Sequence, residues 1–159
     1  MTSFAETPKI KAEDLDYRRD GMGYLLVLRK GQPVVASLNA FLAKENIPGA
    51  SISGIGAVEN AEVAYYDIAA KQYRVTTFAP SMEVLSLKGN LGSLDGEPVV
   101  HAHIALGGAD YTVHGGHLRE ATVSLILEIF ITPTTKPIER ERNNEFPELR
   151  TMKRVRATD

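Results

Sequence analysis

All four histidines of the sequence lie within seventeen residues, at His101, His103, His114 and His117. Imidazole nitrogens are common ligands of zinc and related divalent ions, and three of them leave a tetrahedral ion one open position. The chain contains no cysteine, so a metal could be held only by histidine or oxygen ligands. The cluster therefore predicts a site for a divalent metal, zinc or a similar ion.

His101 and His103 lie two residues apart in a segment in which they alternate with apolar residues. Successive side chains of a β-strand point to opposite faces of its sheet. Both imidazoles should therefore project from one face, while Val100, Ala102 and Ile104 project from the other face into the core. This pattern predicts a strand whose polar face offers two metal ligands.

The source of a third ligand depends on the turn that follows this strand. A four-residue hairpin loop at 107–110 would place His103 opposite His114. In that register His117 faces the apolar side, unless a β-bulge at the glycines of 115–116 reverses the alternation and brings His117 opposite His101. Both His114 and His117 are therefore candidate ligands, and the bulge decides whether His117 converges.

Two carboxylates could complete or support such a site. Glu83 interrupts an apolar run at 82–87, and Glu128 interrupts another at 125–129. An ionisable group in such a position is either an ordinary paired edge charge or part of a functional site. Glu83 is the better candidate, as a general acid or base beside the metal.

Composition limits what kind of molecule positions these residues. With 159 residues, 43% of them hydrophobic and 24% charged, the chain is expected to form a single domain, 1–159. Its core is expected at about 17–133, with terminal segments at 1–16 and 139–159. A net charge of −2 provides no general attraction to nucleic acid. The sequence has neither a signal-peptide pattern nor an apolar run of membrane-spanning length, which predicts a cytoplasmic protein that does not bind membranes.

Only one segment of the chain has convincing helical periodicity. It begins at Pro33, has apolar residues at 34, 35, 38, 41 and 42, and ends at 46–49. Strands are predicted at 24–28, 50–55, 62–66, 73–78, 82–87, 99–106, 111–114 and 122–131. This order of elements predicts an α+β fold, with a largely antiparallel sheet packed against one amphipathic helix. The charged stretch at 139–156 is expected to be a solvated edge or tail.

Four segments occur in an order that resembles the plant and prokaryote conserved (PPC) domain family, specifically its prokaryotic stand-alone members. They are Gly-Ile-Gly-Ala-Val at 54–58, Met-Glu-Val-Leu-Ser-Leu-Lys-Gly-Asn at 82–90, His-Ala-His at 101–103 and Gly-Gly-His-Leu at 115–118. The resemblance spans about 17–133. It implies a compact α+β domain that forms homotrimers and whose fold is similar to that of acetolactate decarboxylase, a metal-dependent enzyme.

The resemblance also implies that His101, His103 and His117 bind zinc, and His114 is not part of the matching pattern. The family is labelled DNA-binding chiefly through plant members that carry an AT-hook, which this chain lacks. The resulting hypothesis is a zinc-binding protein of unsettled activity with a small anionic ligand. The alternatives are a metal-dependent lyase or hydrolase acting on a small anionic substrate, a small-molecule sensor, and a DNA-binding module that uses Lys153, Arg154 and Arg156.

Overall fold

The computed structural model describes residues 10–155, and these form one continuous sheet with a single α-helix. The predicted α+β class is confirmed. The strands are β1 (Asp16–Asp20), β2 (Gly23–Arg29), β3 (Ala50–Asp67), β4 (Gln72–Phe78), β5 (Met82–Leu94), β6 (Glu97–Gly107), β7 (Val113–Pro133), β8 (Glu139–Arg142) and β9 (Arg150–Met152). The helix α1 spans Val34–Glu45 and follows Pro33, as predicted.

The nine strands are ordered β1-β2-β7-β3-β5-β8-β9, with β4 paired to β3 and β6 paired to both β5 and β7. Every pairing among the described strands is antiparallel except that of β5 with β8. The separate strands predicted at 50–55 and 62–66 form the single strand β3, and those predicted at 111–114 and 122–131 form β7. Register irregularities within these long strands bend them without ending them, which explains the difference.

The helix covers one face of the sheet and buries the apolar positions that predicted it. Val34, Leu38 and Phe41 are inaccessible to solvent. Its first turn is capped by a residue that is distant in sequence. The Glu120 carboxylate on β7 accepts hydrogen bonds from the backbone N–H groups of Val35 at 2.8 Å and Ala36 at 3.1 Å. These bonds satisfy two of the amide donors that a helix start leaves unpaired.

The opposite face of the sheet carries exposed apolar side chains on its central strands. Ile55 is 59% exposed, Phe130 is 55% exposed and Leu125 is 71% exposed. Glu128 lies on this face as well, directly opposite Ile55 in the pairing of β3 with β7. Glu128 is therefore an exposed charge within an apolar surface.

The charged segment after residue 138 is not simply a solvated tail. Its strand β8 pairs in parallel with the end of β5, and Arg140 is only 4% exposed. The expectation of a solvated edge or tail is therefore wrong for Arg140, because β8 adds to the edge of β5 and buries this side chain. Parts of the two predicted terminal segments, 1–9 and 156–159, lie outside the described residues, and Arg156 is among them. Within 10–155, no helix is both long and apolar enough to cross a bilayer.

Candidate metal centre

The hairpin that joins β6 to β7 has a different register from the predicted one. His103 lies directly opposite His117, and His114 lies opposite Leu106. The loop at 108–112 has five residues rather than four, because the Asp110 carboxylate accepts hydrogen bonds from the backbone N–H and the hydroxyl of Thr112. The expected pairing of His103 with His114 is therefore wrong.

No bulge is needed at Gly115 and Gly116 to bring His117 to the ligand face. The pairing of β6 with β7 runs without a break through both glycines, and the partner of His103 is three residues further along β7 than predicted. An odd shift in register exchanges the two faces of a strand. The longer loop therefore does what the bulge was expected to do, and it places His117 opposite His103 instead of His101.

The two glycines have a different role, which is close packing of neighbouring backbones. A Cβ atom on Gly115 would lie 2.3 Å from the carbonyl oxygen of Ile104 on β6, and one on Gly116 would lie 2.8 Å from that of Ala64 on β3. These distances are shorter than any normal contact of a Cβ atom. Glycine therefore lets β7 lie close to both strands just before His117.

His101, His103 and His117, which we call the histidine triad, form a nearly equilateral triangle. The ring centroid of His101 is 5.5 Å from that of His103 and 5.4 Å from that of His117. The centroids of His103 and His117 are 5.6 Å apart. One nitrogen from each ring lies within 4.8 Å of the other two. Nitrogen ligands of a tetrahedral zinc ion lie roughly 3.4 Å apart, so small rotations of the rings would let the triad hold such an ion.

The electrostatic surroundings favour the neutral form of two triad histidines, His101 and His117. Burial, followed by the neighbouring imidazoles, lowers the pKa of His117 to about 4. Burial, followed by the positive charge of Arg140, lowers the pKa of His101 as well. Only a neutral imidazole has a free lone pair for a metal, so neither ring has to lose a positive charge before it coordinates at neutral pH.

Arg140 lies against the triad, and sequence reasoning missed it. Its Nη2 atom donates hydrogen bonds to Asn90 Oδ1 at 2.7 Å and to His101 Nδ1 at 3.0 Å, and its Nη1 atom donates to the carbonyl of Arg150 at 2.8 Å. Asn90 is the residue of β5 directly opposite His101. Nothing in the charged sequence around Arg140 distinguishes it from Arg142, which is exposed, so no local signal could have identified it.

A cleft of about 380 Å³ opens beside the triad and has aromatic walls. The ring of Tyr73 on β4 stacks on that of His117, with 5.5 Å between centroids and 27° between planes. Tyr65, Tyr66 and the three triad histidines also line the cleft. On β5, Lys88 lies directly opposite His103 and adds a second cation to this region. The aromatic residues carried no recognisable motif, and only the long strand pairing reveals their position.

The other residues singled out in the sequence do not join the triad. Glu83 is exposed and lies opposite Gly107, four residues along β6 from His103, which corresponds to about 13 Å. His114 lies outside the triad, where its ring contacts that of Phe78 at 4.9 Å between centroids and its Nε2 atom lies 3.2 Å from the Thr112 hydroxyl.

Several solved structures are similar to this chain. A plant- and prokaryote-conserved protein from Pyrococcus horikoshii is 34% identical, with a TM-score of 0.75 over 89% of this chain and 96% of that one. A metal-containing protein from Archaeoglobus fulgidus is 33% identical, with a TM-score of 0.76 over 88% of this chain and 98% of that one. A Bacteroides thetaiotaomicron protein, described as a candidate for DNA binding, is 29% identical, with a TM-score of 0.83 over 87% of this chain and 96% of that one.

No curated protein matches the chain. The Plants and Prokaryotes Conserved (PCC) domain, in contrast, matches residues 15–135, which cover β1 to β7 and therefore all three histidines of the triad. This match extends over most of the sequence and agrees with the structural similarity to the Pyrococcus protein. The chain therefore belongs to the Plants and Prokaryotes Conserved domain family.

Proposed function

We propose that this protein binds one divalent metal ion, zinc or a similar ion, through His101, His103 and His117. The observation that carries the proposal is the convergence of three imidazole nitrogens within 4.8 Å of one another. It is the one group of three or more potential ligands found among residues 10–155. The similarity to a metal-containing protein from Archaeoglobus fulgidus supports the same assignment.

The protein's own residues hold the ligands in place before any metal binds. The alternation of β6 fixes His101 and His103 on one face, and the stack on Tyr73 limits the rotation of His117. Bound to the triad, a divalent ion would supply a fourth coordination position at which a water is acidified or an oxygen of a ligand is polarised. The cleft beside the triad is the space from which a small anionic ligand would reach that position.

Metal analysis of the purified protein tests this proposal. The wild type is expected to contain one equivalent of metal, and His101→Ala, His103→Ala and His117→Ala should each lose most of it. His114→Ala is the matched control and should keep its metal, because its ring lies outside the triad. Loss of metal from His114→Ala together with retention in His117→Ala would refute the assignment.

The cleft is compatible with two functions of such a centre. One is a metal-dependent lyase or hydrolase reaction on a small anion, and the other is the sensing of that anion. We assign no role in either to Glu83 of the same chain, because it lies about 13 Å along the sheet from His103. Screening the metal-loaded protein for turnover of small organic acids distinguishes an enzyme from a sensor. Binding without turnover favours the sensor.

We also propose that the protein assembles as a homotrimer. The apolar surface formed by Ile55, Leu125 and Phe130 is more exposed than a sheet face of an isolated domain usually is. Light scattering coupled to size exclusion should give three times the mass of one chain, and Phe130→Glu should lower it. A monomeric mass for the wild type at micromolar concentration would rule out the trimer.

DNA binding is a second candidate function, favoured by the similarity to a Bacteroides protein described as a candidate for that activity. The electrostatics of this chain favour it less, because the net charge is −2 and Lys153 forms an ion pair with Glu139 at 3.5 Å. A mobility-shift titration with AT-rich and random duplexes at several salt concentrations tests it. Sequence-specific binding that tightens as salt falls would place DNA binding above metal binding as the main function.

A further inference from the structure

Arg140 is a buried cation whose hydrogen-bonding groups are not all used. The residue is 4% exposed, and its Nε atom is buried without a partner. Its Nη2 atom is shared between Asn90 Oδ1 and His101 Nδ1. A buried guanidinium usually forms a complete set of bonds to carboxylates or carbonyls. No carboxylate is bonded to this one, so its charge lacks an anionic partner among residues 10–155.

The bond from Arg140 to His101 conflicts with metal coordination by that histidine. Arginine only donates, so His101 Nδ1 must be the acceptor, and the proton of the neutral ring is then on Nε2. Coordination through Nε2 would require this proton to move to Nδ1. A protonated Nδ1 cannot accept a bond from Arg140, and coordination through Nδ1 itself would use the lone pair that accepts this bond, so the contact breaks whichever nitrogen of His101 coordinates a metal.

Breaking this contact would leave an Nη2 donor and the Nε donor of Arg140 unpaired beside the ring of His101. Nη2 and Nε lie on the same edge of the planar guanidinium, and such an edge can donate two parallel hydrogen bonds to a carboxylate. Lys88, opposite His103 on β5 and two residues from Asn90, adds to the positive potential. The tyrosine-lined cleft provides room for an organic group attached to that carboxylate.

We infer that Arg140 recognises the carboxylate of a small organic acid bound at the metal, and that it exchanges its bond to His101 for a bond to this carboxylate. The inference rests on the proposed metal site and goes further, because it names the ligand class and the residue that selects it. It also makes metal and carboxylate binding cooperative, since the metal frees the donors that the carboxylate uses.

The test uses the wild-type protein and its variants loaded with Co²⁺, whose visible spectrum reports the coordination of the ion. Cobalt content is measured first, and acetate is then titrated while the spectrum is recorded. Arg140→Gln should keep its Co²⁺ and bind acetate about tenfold or more weakly, the loss expected for a hydrogen bond to a charged group. Arg140→Lys should lose part of the affinity. The control Arg142→Gln, exposed on the same strand, should match the wild type.

Each outcome bears on a separate part of the proposal. Absence of Co²⁺ from the wild type would overturn the proposed metal site and this inference together. Normal Co²⁺ content with equal acetate affinity in Arg140→Gln would overturn the inference alone. Inorganic phosphate is titrated in parallel, and tighter binding of phosphate that depends on Arg140 would overturn the assignment to carboxylates.

A measurement on the wild type covers the case in which the Arg140 variants do not fold. Long-range ¹H–¹⁵N spectra distinguish protonated from unprotonated histidine nitrogens. Zn²⁺ should convert the His101 Nδ1 atom from an unprotonated, metal-free acceptor to a nitrogen that is either protonated or metal-bound, and the ¹⁵N chemical shift distinguishes these states. If Nδ1 keeps the chemical shift of an unprotonated, metal-free nitrogen with Zn²⁺ bound, Arg140 has not been released and the inference fails.

Discussion

Tyr73 stacks on His117, so a residue of β4 orients a proposed metal ligand that belongs to β7. The two strands are not paired with each other, and both pair with β3. Stacking of this kind limits the rotation of the imidazole and excludes water from one of its faces. The proposed site therefore depends on a strand that contributes no ligand.

Replacing Tyr73 with alanine should weaken metal binding without removing a ligand. Changes in residues that only orient metal ligands typically reduce affinity by 10- to 100-fold, and we expect a loss in that range. Competition with a chromophoric chelator measures it. Tyr65→Ala is the control, because this tyrosine is 68% exposed and its ring does not stack on a triad histidine. Equal losses in the two variants would show that the stack has no orienting role.

Acid should destabilise the metal-free protein, because the folded state resists protonation of His117. Its pKa is about 4 in the folded protein and 6.5 in the unfolded chain, so only the unfolded chain takes up this proton between these values. The free energy of unfolding should therefore be largest above pH 6.5 and fall as the pH drops towards 4.

Urea denaturation after chelator treatment, repeated across this pH range, measures the effect. His117→Asn should flatten the dependence on pH, whereas the control His114→Asn should retain it. An unchanged slope in His117→Asn would assign the acid sensitivity to other groups.

Glu120→Ala should destabilise the fold by removing the cap of α1. The Glu120 carboxylate accepts hydrogen bonds from the amides of Val35 and Ala36, and Pro33 supplies no side-chain cap of its own. Loss of a helix cap typically costs about 1–2 kcal/mol. Thermal or urea denaturation measures the change, with the exposed Glu97→Ala as control. A stability equal to that of the wild type would show that water replaces the carboxylate at no cost.

Gly115→Ala should disturb the hairpin that presents His117. The added methyl group would lie 2.3 Å from the backbone carbonyl oxygen of Ile104, which cannot move away as a flexible side chain could. Overpacking of this kind costs about 1–3 kcal/mol, and we expect metal affinity to fall with stability. Gly107→Ala is the matched control in the same hairpin, because its Cβ atom would meet only the Leu85 side chain at 3.3 Å. A tolerated Gly115→Ala would contradict the register described here.

The sequence predicted those parts of the site that depend on local periodicity. His101 and His103 share a face because they alternate with buried Ala102 and Ile104, and that pattern is visible in a few residues. The position of His117 depends on hairpin register, which hydrogen bonds within the loop decide. Composition alone suggested a shorter loop, so the predicted pairing was wrong, although the resemblance named the histidine that lies beside His101 and His103.

The contribution of Arg140 could not be predicted for a different reason. It reaches the triad because β8 joins β5 in parallel, a contact between residues that are far apart in the chain. Neighbouring residues of the same type and charge, such as Arg142, are exposed. Only the three-dimensional pairing separates the two arginines.

Because Arg140 belongs to β8, the residues at the triad come from two separate stretches of the chain. The three histidines lie within residues 15–135, which match the family, whereas Arg140 lies beyond that stretch. Substitutions in the C-terminal segment can therefore change the group that contacts His101 without altering any histidine of the triad. Related chains could in this way keep the same three histidines while the residue beside them changes, because the two belong to separate stretches of sequence.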